Sequence, residues 1–145
     1  MNPPYGGSVL IADTSAWMRA ARPVVAHDWD RALVSGQIAT CAVTVVEILY
    51  SARDGDDYDR KQEGLAELRD VPITRSVTNA ALAAYRELAH RAPLHHRSVS
   101  IPDLLIAAAA ADAGIGVLHY DADYDVLAEV LQFESRWIAP RGSLE

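Results

Sequence analysis

This 145-residue chain is short of several things, and each shortage narrows what it can be. It has one cysteine, Cys41, in the apolar stretch IATCAV. A lone cysteine forms no internal disulfide, so a reducing, cytoplasmic setting is the expectation. With no candidate partner nearby, Cys41 reads as a small buried side chain rather than a nucleophile. There is one lysine, Lys61, and the net charge is −7. Affinity for phosphates normally comes from many Lys and Arg side chains, so the bare chain is expected to bind nucleic acid weakly. Any polyanion it handles must be met by local arginines or by a metal. The longest apolar run, LLIAAAAA at 104–111, is too short to cross a bilayer and is cut by Asp112. The opening MNPPYGGS has neither the basic flank nor the apolar core of a signal peptide. No repeat or low-complexity linker divides the chain, which reads as one domain over residues 1–145, with 141–145 set aside as a tail.

What is present is an ordinary globular balance, half apolar and 23% charged, in short apolar runs separated by helical patterns. Strands are expected at Ser8 to Ala12, Ile38 to Val43, residues 71–73 and Ile115 to Leu118, with an edge strand over Phe133 to Ile138. Between them lie a brief helix from Thr14, a helix from Val24 to Ser35 with Gly36 as its C-terminal stop, and one from Thr44 to Ala52. Further helices are expected over Asp56 to Asp70, Thr78 to Ala92 (with Leu82, Tyr85 and Leu88 on one stripe), Pro102 to Ala113 and Asp123 to Leu131. The alternation predicts an α/β domain with a mostly parallel sheet. The LLIAAAAA helix, apolar on nearly every face, should be the most buried.

In parallel α/β sheets ligands gather beyond the carboxyl ends of the strands. Acids stand at four such junctions. Asp13 follows the first strand, and Glu47 is expected in the first turn of the helix after the second. Asp103 opens the buried helix, and Asp121 follows the last clear strand with Asp123 two residues on. Each alone is well explained as a helix cap, since Thr44-x-x-Glu47 and Ser100-x-x-Asp103 both have capping-box spacing. Together on one edge they repel each other and raise each other's pKa, and a cation would offset that cost. An all-oxygen, cysteine-free set suits a hard ion such as Mg²⁺ or Mn²⁺. On that reading Asp13 is a ligand before it is a cap.

The segments VLIADTSAW, TVVEILYSA, IPDLLIAAAA and VLHYDADYDVL, in this order and spanning roughly Val9 to Ile138, resemble the PIN-domain ribonucleases. More narrowly, they resemble the VapC toxins of bacterial type II toxin–antitoxin pairs. The resemblance implies a three-layer α/β/α PIN-like domain with a mostly parallel sheet of four to five strands. It also implies Mg²⁺-dependent endonucleolytic cleavage of structured cellular RNA (tRNA or rRNA class), with Mn²⁺ able to substitute. A cognate antitoxin and a homodimer are implied as partners. By motif, Asp13, Glu47, Asp103 and Asp121 correspond to the catalytic quartet. Asp13, Asp103, Asp121 and the accompanying Asp123 correspond to the metal-holding acids, and Thr14 or Ser15 to the hydroxyl beside the first Asp. The chain departs from the pattern twice. His119 stands where Thr is common two residues before the fourth acid, and Tyr124 where Phe often follows the fifth. No carboxylate is missing, but the lost hydroxyl puts one hydrogen bond near the metal in doubt.

Other assignments compete. His95 and His96 could run metal-free acid–base cleavage, but adjacent side chains diverge and their loop is polar, so solvated surface is favoured. Arg19, Arg22 and Arg97 are the candidates for RNA backbone contacts. Trp17 and Met18 at helical spacing read as core or interface before base stacking, and apolar groups near Trp17, Trp29 and Tyr50 suggest a dimer face. A receiver-type phosphoacceptor needs a lysine at a strand tip, and Lys61 sits on a charged helix instead. The non-enzymatic alternative, a PIN-like module that only binds RNA or protein, is disfavoured by the intact acid set.

Overall fold

The computed structural model describes residues 2–144. Five strands, β1 (Leu10–Ala12), β2 (Ile38–Cys41), β3 (Arg69–Val71), β4 (Gly116–His119) and β5 (Ser135–Trp137), form one all-parallel sheet in the order β3-β2-β1-β4-β5. Seven α-helices connect them: α1 (Thr14–Trp17), α2 (Pro23–Val34), α3 (Ala42–Tyr50), α4 (Gly55–Ala66), α5 (Arg75–Arg91), α6 (Ile101–Ala113) and α7 (Asp123–Leu127). Residues alternate between the faces of a strand, and β1 shows it. Ile11 joins a core with Val77, Ala81, Ala84 and Leu88 of α5, Ile106 and its neighbours in α6, and Leu127 of α7. Leu10 and Ala12 point the other way, into a core with Ala16 of α1 and Val25, Trp29 and Ala32 of α2. The architecture is the expected α/β/α sandwich.

Several boundaries differ from those the sequence suggests, each for a local reason. β2 stops at Cys41, and α3 begins at Ala42, two residues earlier than expected, because the β-branched run at 43–46 reads as strand but packs as helix. Glu47 therefore lies in the second turn of α3, not its first, and the Thr44-x-x-Glu47 capping box is absent because Cys41 is the N-cap. β3 is displaced to Arg69–Val71, and α4 ends at Ala66, short of Asp70. On α5 the buried stripe runs through Val77, Ala81, Ala84 and Leu88, while Leu82 is 67% exposed. Residues 95–98, expected as loop, form one turn of 3-10 helix. α6 is the most buried helix and stops where expected, at Gly114, whose φ of 69° favours glycine. Gly116 opens β4, where a Cβ would lie 2.6 Å from the Glu134 carbonyl oxygen, so only glycine lets β5 pair this closely.

Cys41 is fully buried, its Sγ 3.7 Å from Thr44 Oγ1. Of the aromatic groups suggested as a dimer face, Trp29 is core, and Trp17, half-buried, packs edge-on against it with ring centroids 4.7 Å apart. Tyr50, 91% exposed, remains outside. The residues set aside as a tail finish with Leu144 buried in the α1/α2 core, its backbone N–H donating to the Tyr120 hydroxyl at 2.9 Å. Among the described residues no helix is long and apolar enough to cross a membrane.

Candidate metal centre

β1 is central: the chain runs from it to β2 and β3 on one side, then crosses back to β4 and β5 on the other. The carboxyl ends of β1 and β4 thus border the crevice in which parallel sheets hold ligands. Asp13 and Asp121 are the acids those two strands deliver. The β1 ladder continues one residue further, with the Asp13 N–H donating to the Leu118 carbonyl at 2.9 Å, which brings the two strand exits side by side.

Each acid is held by a named neighbour. Asp13 is the N-cap of α1, and its Oδ2 accepts from the Ser15 backbone N–H at 3.1 Å and the Ser15 hydroxyl at 2.7 Å. The same hydroxyl accepts from the Tyr120 N–H at 2.9 Å, tying the exits of β1 and β4 together. Asp13 is therefore a cap as well as a member of the acidic group, and the two readings are not exclusive. Thr14 Oγ1 donates to Glu47 Oε1 at 3.3 Å, so the two hydroxyls of DTS serve two different carboxylates.

On α6, Ser100 is the N-cap and its hydroxyl accepts from the Asp103 N–H at 3.2 Å, which is half of the expected capping box. The other half is not made by Asp103. The Ser100 N–H donates instead to Asp123 Oδ2 at 3.0 Å, from the far side of the crevice. Asp123 closes the box and leaves the Asp103 carboxylate free to face its neighbours. No sequence signal distinguishes these two closures, since both place a carboxylate at the helix N-terminus. Asp121 Oδ1 in turn accepts from the Asp123 N–H at 2.9 Å.

The result is a trio, Asp103, Asp121 and Asp123, each offering an oxygen within 4.8 Å of the others. Asp13 lies outside that set but near it, since its charge acts on Glu47, Asp103 and Asp121 alike. Among the described residues no ion pair reaches any of the five acids. The electrostatic consequence is direct. Burial first, then the Asp13 charge, pushes the Asp103 carboxyl up to about 8. Burial is also the main cause that raises Asp121 and Glu47, with the Asp13 charge adding to both. A buried carboxylate crowded by other acids suits a divalent ion, and an all-carboxylate donor set suits a hard one.

The other candidates fall elsewhere. Arg19 donates to the Ser15 carbonyl at 3.0 Å and lays its guanidinium over the Tyr120 ring at 4.3 Å, so it braces the site's loops. Arg22 is exposed and donates to the Leu144 carbonyl at 3.2 Å. Arg97 is exposed on the 3-10 turn. His96 packs edge-on against Tyr85, and neither His95 nor His96 hydrogen-bonds to an acid through its ring. Lys61 is tied to Asp57 at 2.7 Å, on α4.

The PIN domain family model matches residues 10–130. Ribonuclease VapC18 of Mycobacterium tuberculosis is 48% identical over 94% of this chain and 99% of its own length. Ribonuclease VapC51 of the same organism is 37% identical over 93% and 96%. Among solved structures, VapBC-5 from Mycobacterium tuberculosis superposes with a TM-score of 0.62 at 24% identity, covering 88% of this chain and 97% of that one. DNA-bound VapBC from Salmonella typhimurium gives 0.67 at 16% identity, covering 87% and 96%. By the family model and these relatives, the chain belongs to the PIN-domain family of VapC ribonucleases.

Proposed function

We propose that this chain is a metal-dependent endoribonuclease, the toxin of a toxin–antitoxin pair, acting as one PIN-like unit. The observation that carries the reading is the trio Asp103, Asp121 and Asp123, crowded within 4.8 Å, which no ion pair among the described residues neutralises. Asp13, Asp103, Asp121 and Asp123 would hold Mg²⁺, or Mn²⁺ in its place. When bound, such an ion supplies Lewis acidity towards the scissile phosphate and makes a water acidic enough to attack it near neutral pH.

The chain's own residues do the rest. Ser15 fixes the Asp13 carboxylate and Thr14 fixes Glu47. Glu47, its pKa raised by burial and the Asp13 charge, sits beside the acids as the group to orient the attacking water and take its proton. Arg97 and Arg22 are exposed and available to the RNA backbone, while Arg19, engaged by the Ser15 carbonyl and the Tyr120 ring, acts by bracing the loops beside them. The need for a metal also accounts for an RNA enzyme of net charge −7. Resemblance to VapC toxins points to structured RNA of the tRNA or rRNA class as substrate, a small cognate antitoxin as inhibitor, a homodimer as the assembly and the cytoplasm as its place of action. Solved relatives described as VapBC complexes support the antitoxin. Exposed Tyr50 and Val46, four residues apart on α3, are the surface offered to a second copy.

End-group analysis of one cleaved RNA tests the mechanism. Attack by water leaves a 5′-phosphate and a free 3′-hydroxyl, and EDTA stops the reaction. Acid–base cleavage by histidine uses the 2′-hydroxyl, leaves a 2′,3′-cyclic phosphate and is indifferent to EDTA. Cyclic ends formed in EDTA would overturn the proposal.

A further inference from the structure

The two positions at which the chain departs from the family pattern, His119 and Tyr124, are in contact. Their rings stack with centroids 4.7 Å apart and planes 30° from parallel, and both side chains are fully buried. The stack is rigidly supported. His119 Nδ1 accepts from the Asp121 N–H at 3.1 Å, so the ring proton sits on Nε2, which donates to Ser135 Oγ at 2.8 Å. Ser135 Oγ donates onward to Asp125 Oδ1 at 2.9 Å, and the other oxygen of Asp125 accepts from Trp137 Nε1 at 3.1 Å. Trp137 closes the arrangement edge-on against His119, with centroids 5.0 Å apart. A tyrosine held this way aims its hydroxyl at the acids, with Asp13 and Asp103 both close by. Tyr124 donates it to Asp103 Oδ1 at 3.0 Å, in a buried hydrogen bond.

A carboxylate rotates easily about its terminal bond, because that torsion has a broad, shallow energy profile. Asp103 stands among acids that repel it, and among the described residues no backbone N–H takes its carboxylate, Asp123 having taken the helix-terminal one. The Tyr124 hydroxyl is the O–H donor that fixes its orientation. We propose that Tyr124 is a positioning residue: its hydroxyl, aimed by the His119 stack, orients Asp103 for the divalent ion. It thereby supplies from residue 124 the hydroxyl that residue 119 lacks. The inference rests on the metal-centre reading above, and orienting partners of this kind commonly set metal affinity by 10- to 100-fold.

Tyr124→Phe deletes the hydroxyl and keeps the ring and its stack. Mn²⁺ is titrated into the full chain and free ion is read by electron paramagnetic resonance, alongside melting in EDTA and RNA cleavage at rising Mn²⁺. The expected result is about tenfold weaker Mn²⁺ binding, an unchanged melting temperature in EDTA, and cleavage that recovers towards wild type as Mn²⁺ is raised. Unchanged Mn²⁺ affinity in Tyr124→Phe, with the wild type binding normally, would overturn the role of Tyr124 alone. A cleavage defect that no Mn²⁺ concentration relieves would do the same. A wild type that binds no Mn²⁺ would overturn the metal centre itself.

Discussion

Asp57 and Asp103 occupy the same local position in two different helices. Each is the third residue of its helix, α4 or α6, and each donates its backbone N–H to the N-cap side chain three residues before it, Asp54 at 2.8 Å or Ser100 at 3.2 Å. Each is buried. Their electrostatics are opposite. Asp57 accepts from Lys61 Nζ at 2.7 Å, from the Arg53 backbone N–H at 3.0 Å and from Arg53 Nε at 3.4 Å, and these hold its carboxyl well below the usual carboxylate range. Asp103 has three acids for neighbours and is pushed up to about 8. A buried carboxylate whose partners belong to its own fold is a structural part. One whose charged neighbours all carry its own charge has a demand the chain does not meet, and that unmet demand marks a ligand site.

Activity should separate the two most sharply. Asp103→Asn and Asp121→Asn each should lower RNA cleavage by more than the roughly 10- to 100-fold expected for a residue that merely supports a metal ligand. Asp57→Asn should leave the cleavage rate of folded protein near wild type. Cleavage assays on matched folded fractions measure this, and near-full activity in both site variants would abolish the distinction.

Metal-linked stability comes next. A ligand that binds only the folded state, present at 100 times its Kd, stabilises by about 2.7 kcal/mol. Mg²⁺ or Mn²⁺ should therefore raise the melting temperature of wild type and Asp57→Asn by several degrees, and that of Asp103→Asn hardly at all. An equal rise in Asp103→Asn would move the ion elsewhere. Without metal, the two substitutions should shift melting in opposite directions. Asp57→Asn removes the charge that Lys61, Arg53 and Arg60 converge on and should lower it, whereas Asp103→Asn relieves repulsion and should raise it. Scanning calorimetry in EDTA compares the signs directly.

How much of this contrast is legible beforehand depends on the scale. Asp54-x-x-Asp57 and Ser100-x-x-Asp103 are alike as local patterns, and nothing within either helix tells which acid is satisfied. The strand–helix alternation gives the layers and the parallel sheet, because burial period and chain length dictate them. It also brings Asp13 and Asp121 to one edge of the sheet, but the strand order that makes β1 and β4 neighbours is not legible in it. What escapes is everything set by side-chain direction across long separations. Asp123 rather than Asp103 closes the α6 box, Arg19 lies over Tyr120 in place of solvent, and Tyr124 reaches an acid 21 residues away. The start of α3 escapes for a different reason. Four residues, Val43 to Val46, prefer a strand locally, and packing overrides that preference.

The smallest effect, and the finest test of the comparison, is the pH dependence of metal-free stability. The folded Asp103 carboxyl titrates at about 8, against 3.8 for an unperturbed one, so between those values the folded chain keeps a proton that the unfolded chain has lost. Stability then falls as pH rises through that window and levels off above about 8. His119 works in the opposite sense. Burial pushes its imidazole down to about 4 from 6.5, so between these values the unfolded chain binds the extra proton and stability rises with pH. The two oppose each other up to pH 6.5, and above it Asp103 acts without that opposition. Asp57, lowered rather than raised, has lost its proton in both states there and contributes no slope. Denaturant unfolding in EDTA from pH 6.5 to 8 should therefore show wild type and Asp57→Asn losing stability with pH, by at most about 1.4 kcal/mol per pH unit for each proton released. Asp103→Asn should give a flatter line. A wild-type stability that is level or rising across this window would mean that the acids at the crevice do not share a proton. Asp103 would then be as settled in its surroundings as Asp57.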